Sequence, residues 1–125
     1  MATEESLFFD RWPQLLPLYE TLKKQLTHTY PDLNIKVSKT QISFYNRRMF
    51  AMVSLPTKRE KTWPKEFLMV SFGLNTKKES PRIAMSVEAY PNRWTHHVLV
   101  EQESDIDQEL LSWIAEADTF ALNKR

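Results

Sequence analysis

The 125-residue chain contains no cysteine. Disulfide stapling and thiolate metal sites are therefore excluded, and a reducing compartment suits it. It has one glycine, Gly73. The phosphate-binding loop and the dinucleotide fingerprint each need several glycines at fixed spacing, so neither can be present. The Gly-x-Ser-x-Gly nucleophile elbow is absent for the same reason. Three histidines occur, His28, His96 and His97, and no pair has zinc-protease spacing. Pro31-Asp32 is not followed by an acidic-x-lysine strand, so a restriction-type nuclease centre lacks its second half. No metal and no cofactor are expected. No apolar run approaches the roughly 20 residues of a membrane span. The opening Met-Ala-Thr-Glu-Glu is acidic where a secretory leader is basic. The expectation is a cytoplasmic protein, away from membranes, with one domain over residues 1–125.

A formal net charge of +1 conceals three zones. Residues 1–33 carry three basic and five acidic side chains, a net of −2. Residues 34–97 carry twelve basic and four acidic, a net of +8. Residues 98–125 carry two basic and seven acidic, a net of −5. A cationic middle can attract phosphate or carboxylate. Lys58, Arg59, Lys61, Lys77 and Lys78 fall in loops and read as solvated charge.

Hydrophobic spacing predicts the elements. Leu7, Phe8 and Phe9 form a short apolar anchor, about one helical turn. Pro17 suits the first turn of a helix running to Tyr30, where Leu18, Leu22 and Leu26 recur every fourth residue. His28, near its C-terminal end, reads as a surface histidine. Asn34–Lys39 and Gln41–Tyr45 alternate as strands. Asn46-Arg47 can form a two-residue hairpin turn, since Asn tolerates positive φ. That register sets Phe44 opposite Met49 and Ile42 opposite Ala51, with Val53 and Leu55 continuing inward. Phe67–Leu74 is apolar on both faces, as a central strand is. In Arg82–Tyr90, alternation turns Ile83, Met85 and Val87 inward.

From Arg93 to Glu101 the chain alternates again. Trp94, His96, Val98 and Val100 share the core side. His96 then reads as an interior histidine with one hydrogen-bond partner, and His97 joins the opposite face. Adjacent strand histidines point apart, which further disfavours a metal site. Ser104 is placed to cap a final helix, with Asp107 completing an acidic capping box. Ile106, Leu110, Ile114, Ala117 and Ala121 make its buried stripe.

This order implies an α+β fold: helix, a five- to six-stranded mainly antiparallel sheet, helix, with both helices on one face. The other face would gather Gln41, Ser43, Tyr45, Arg48, Phe50, Arg82, Ser86, Glu88, Arg93, Thr95 and His97. That mixture is too polar for core and too aromatic for ordinary surface. Two arrangements are open. The face is a working surface, or the Phe8-Phe9 segment or a loop covers it.

Four segments carry a resemblance: Val37-Ser-Lys-Thr-Gln-Ile-Ser-Phe44, Arg47-Arg-Met-Phe-Ala51, Glu79-Ser-Pro-Arg82, and Arg93-Trp-Thr-His-His97 leading into Asp105-Ile-Asp107 and Trp113. In that order they resemble a family of small bacterial domains known as a domain of unknown function. Related domains occur alone or as C-terminal modules of larger proteins, including predicted nucleases and so-called predicted transport proteins. The resemblance implies an α+β domain of the bacterial cytoplasm, with no established reaction and no established catalytic residues. Its motifs overlap the outer face at Gln41, Arg48, Arg82, Arg93, Thr95 and His97. They add Lys39 at the mouth of the same strand.

The candidate ligand-binding set is therefore Lys39, Gln41, Tyr45, Arg48, Phe50, Arg82, Glu88, Arg93, Thr95 and His97. The preferred reading is a non-enzymatic module that holds an anionic small molecule or nucleic acid on a cationic, aromatic sheet. The alternative is a small hydrolase or transferase. His97 would be its general base, Glu88 the orienter, and Arg93 or Arg48 the charge stabiliser.

Overall fold

A computed structural model describes residues 3–57 and 60–123; Lys58 and Arg59 lie outside the described residues. Among the described residues, three helices and six strands follow one another as α1 (Glu4–Phe8), α2 (Leu16–Thr29), β1 (Asn34–Val37), β2 (Ile42–Asn46), β3 (Arg48–Ser54), β4 (Leu68–Leu74), β5 (Ile83–Tyr90), β6 (Arg93–Val100) and α3 (Gln108–Asn123). Single 3₁₀ turns at Pro13–Leu15 and Glu103–Asp105 lead into α2 and towards α3. The strands form one open antiparallel sheet in the order β1-β2-β3-β4-β6-β5.

The fold is α+β with the helices on one face, as the element order implies. Tyr19 of α2 stacks on Phe44, centroids 6.2 Å apart, and Trp113 of α3 lies 6.1 Å from Phe72. Phe44, Ala51 and Phe72 occupy one cross-strand row, so both helices meet the same side. Leu22, Leu26, Ile42, Val53, Val70, Val98, Leu110 and Ile114 are buried there. Each such side chain contributes about 1.5–3 kcal/mol by leaving water. Phe9 belongs to this core and packs on Tyr19. The Phe8-Phe9 segment therefore does not cover the opposite sheet face. Among the described residues no helix lies over that face.

Three local registers differ from the alternation rule. Arg47, not Asn46, takes the positive φ of the β2–β3 hairpin, at 70°. Asn46 instead pairs with Arg48 and donates its side-chain amide to Asp118 on α3. A bulge follows, so Phe44 faces Ala51 and Ile42 faces Val53. The extra residue is Phe50. It turns to the helix side, is 3 % exposed, and packs on Tyr30 with centroids 5.0 Å apart. Bulges re-aim one side chain this way.

The second bulge lies in β5, between Ile83 and Met85. Ile83 faces Val98 on the core side, but Met85 faces His97 and Val87 faces Thr95. Met85 and Val87 are thus outward, while Ser86 and Glu88 share the helix side with His96 and Trp94. In β6, alternation holds throughout: Trp94, His96, Val98 and Val100 are inward.

The third difference is the start of α3. Ile106 is buried with φ −89° and ψ 76°, so helix cannot begin at Ser104. Asp107 caps instead, its carboxylate accepting the Leu110 N–H at 3.0 Å. The expected stripe of Ile106, Leu110, Ile114, Ala117 and Ala121 is buried. Smaller shifts include β1, which stops at Val37 because Ser38 and Gln41 close a turn.

Candidate functional site

A straight row crosses all six strands on the helix-free face: Lys36, Ser43, Met52, Ser71, His97 and Met85. Flanking rows hold Ser54, Met69 and Leu99 to one side, and Thr95, Gly73 and Val87 to the other. Gln41, Tyr45 and Arg93 complete the face. Its rim is cationic: Lys36 sits with its ammonium 5.0 Å from the Tyr45 ring centroid, a cation–π contact. No carboxylate occupies an outward strand position among the described residues. The β5 bulge is the reason, because it moves Glu88 to the other side.

The polar groups at the centre are tied to one another. Ser71 Oγ lies 2.7 Å from His97 Nδ1. Gln41 donates to Ser43 Oγ at 3.0 Å. Ser71 is 1 % exposed, whereas His97 is half-buried. Burial lowers the His97 pKa below 6.5, and the neighbouring His96 lowers it further. A neutral imidazole held through Nδ1 can offer Nε2 to a ligand as donor or acceptor, according to tautomer. Met52, Met69 and Met85, all half-buried, surround this centre with polarizable thioethers that adapt to flat or irregular ligands.

Half of the ten candidate residues lie together here: Gln41, Tyr45, Arg93, Thr95 and His97. Lys39 is exposed in the β1–β2 turn, beside Val37 and Ser38. Four placements need correction. Arg48, exposed at the hairpin, pairs with Asn46, whose side chain reaches α3, so it takes the helix side. Phe50 is in the helix-side core. Glu88 faces the helix side and accepts the Asn92 N–H at 3.3 Å. Arg82 precedes β5 and reaches α3, where it bonds Asp107 and Glu109, each at 2.9 Å, and the Asp105 carbonyl at 2.7 Å. Its guanidinium also lies 5.8 Å from the Trp113 ring centroid. Arg82 is thus a clip between the β4–β5 loop and α3. The Leu110 N–H, and then Arg82, hold the Asp107 carboxyl below its usual range. Alternation along β1 and β4 pointed to Lys36 and Ser71, which the candidate set omitted. Met85 was hidden by the bulge.

A groove of about 660 Å³ lies on the helical side, lined in part by Glu5, Tyr19, Lys23, Lys24 and His28. Its central groups are already partnered. Tyr19 donates its hydroxyl to Glu5, and Lys23 pairs with the same carboxylate at 2.9 Å. Burial, and then Glu5, raise the Tyr19 pKa. Among the described residues, no cluster of three or more His, Asp or Glu could hold a metal, and no helix is long and apolar enough to cross a membrane.

Fold and face together define a small α+β domain with one sheet face that carries no helix and no outward strand carboxylate among the described residues. The chain belongs to the family described as Domain of unknown function (DUF5655), whose sequence model matches residues 4–120. No curated protein and no solved structure matches it.

Proposed function

We propose that the helix-free sheet face is a non-catalytic binding surface for an anionic, flat-faced ligand, with single-stranded nucleic acid as the ligand class that fits best. The observation carrying this reading is the charge on that face. Lys36 and Arg93 occupy outward strand positions and no described outward strand position holds a carboxylate. Tyr45 and the half-buried methionines add surfaces against which bases can stack. An open sheet favours an extended ligand over an enclosed small molecule. The motif resemblance adds a setting, the bacterial cytoplasm, with related modules attached to predicted nucleases.

Fluorescence anisotropy with a labelled single-stranded oligonucleotide tests this. Binding should weaken with salt, with a slope of about −1.4 in log K against log salt for two phosphate contacts. Absence of binding at low salt removes the proposal.

The contact between Ser71 and His97 favours a second reading, a hydrolase or transferase with His97 as general base. In it Ser71, not Glu88, orients the imidazole, since Glu88 faces the other side. Ser71 is too buried to be a nucleophile itself. Turnover of a phosphodiester or ester substrate, lost in His97→Ala, would select this reading over simple capture.

A further inference from the structure

The β4–β5 loop, residues 75–82, is fastened at three points. The Lys78 N–H donates to His96 Nε2 at 2.9 Å. The Lys78 ammonium pairs with Glu116 of α3 at 2.9 Å. Arg82 grips Asp107 and Glu109. The first fastening differs from the others because it requires an unprotonated nitrogen.

We propose that His96 is an acid-sensitive latch: its neutral ring holds the Lys78 backbone of the β4–β5 loop against β6, and its protonation releases that backbone. A ring that accepts at Nε2 carries its single proton on Nδ1. That Nδ1 is buried without a hydrogen-bond partner, and the whole residue is 0 % exposed. The ring stacks on Phe72, centroids 5.3 Å apart and planes within 10°. A second proton can enter only at Nε2. It would convert the acceptor into a donor aimed at the Lys78 N–H, so the bond is lost and two donors oppose each other.

The surroundings offer the resulting charge little relief beyond the backbone carbonyls of Phe72 and Trp94. From β4 the partner is Phe72 and from β5 it is Ser86, both uncharged; Glu88 of β5 shares this face but lies opposite Trp94, where it accepts the Asn92 N–H. The loop presents Lys78, which repels a cation. On α3, Glu116 is engaged with Lys78, and Asp107 and Glu109 with Arg82. His97 lies on the opposite face of the same strand. Departure of the loop relieves this conflict by admitting water to the ring. Burial, opposed in part by nearby backbone carbonyls of Phe72 and Trp94, already keeps the His96 pKa below 6.5. The Arg82–Asp107 fastening survives to lower pH, because Asp107 is held below its usual 3.8. Release in mildly acidic solution is therefore local: the Lys78 backbone parts from the ring while Arg82 keeps its grip on Asp107.

Amide hydrogen exchange at Lys78, measured by NMR on the full chain, tests the latch. In wild type, protection corrected for intrinsic exchange should fall about tenfold or more between about pH 7 and pH 5. In His96→Gln, whose side-chain oxygen can accept the same N–H but cannot titrate there, protection should stay level. Level protection in wild type, or a parallel fall in both proteins, overturns the proposal. Imidazole ¹⁵N shifts of wild type give a check that needs no variant. The proton should reside on Nδ1 at neutral pH, and an Nε2–H tautomer contradicts the latch.

Discussion

His96 and His97 are chain neighbours on opposite sides of one sheet, and the two sides treat polar groups differently. On the helix side, side chains are matched across elements: Arg82 with Asp107 and Glu109, Lys78 with Glu116, Asn46 with Asp118. On the far side, the matches run between neighbours within the sheet: Ser71 with His97, Gln41 with Ser43, Lys36 with Tyr45. The first kind of contact docks helices. The second stiffens a surface without covering it. Polarity alone does not distinguish a working face from a structural one; the destination of each hydrogen bond does.

The largest effects should come from the helix side. Leu110→Ala or Ile114→Ala should cost about 2–5 kcal/mol in urea unfolding, as buried large-to-small changes do. Phe50→Ala should fall in the same class, at about 3–5 kcal/mol, despite its outward parity in simple alternation. A loss below about 0.5 kcal/mol at Phe50, the usual size for exposed positions, would break the assignment of the bulge.

Caps come next. Asp107→Ala should lower stability by about 1 kcal/mol through loss of the Leu110 cap alone, with the Arg82 clip weakened as well. Ser104→Ala should change the denaturant midpoint negligibly, within about 0.5 kcal/mol. The reverse order of effects would move the start of α3 back to Ser104.

His97→Ala should cost about 1 kcal/mol, because the buried Ser71 hydroxyl loses its partner. Its far-ultraviolet dichroism should match wild type. Ligand capture should decline in this variant and in Lys36→Ala.

Acid sharpens the contrast between the two histidines in a smaller, graded way. Burial depresses both folded pKa values below 6.5. Below about 6.5 the unfolded chain binds protons that the folded chain does not, so stability falls as pH drops towards the folded values. Above that pH the contribution is complete. Asp107 has the same sign at lower pH: its contribution is lost as pH falls through and below 3.8. Urea midpoints across this range should show two declines, and His96→Gln should shrink only the upper one.

Much of the architecture was legible because alternation and four-residue spacing follow directly from strand and helix geometry. β6 and the buried stripe of α3 follow those rules residue by residue. Three of the failures share one cause. Phe50, Met85 and Glu88 sit at or beyond bulges, where one extra residue reverses parity, and no local composition marks the site. Ser104 lost its cap role because burying Ile106 breaks the helix, a tertiary demand that a capping pattern cannot report. Arg82 illustrates the same limit: its partners lie on α3, more than twenty residues away. Of the candidate face, Gln41, Tyr45, Arg93, Thr95 and His97 could be read from parity. Lys36 and Ser71 could also have been, since both lie in regular strand.

Chemical-shift mapping with a single-stranded oligonucleotide at low salt tests the central claim most directly. The account predicts perturbations confined to the helix-free face, strongest at Lys36, Tyr45, Ser71, His97 and Arg93. Perturbations centred instead on Lys23, Lys24 and His28, in the groove between α1 and α2, would contradict it.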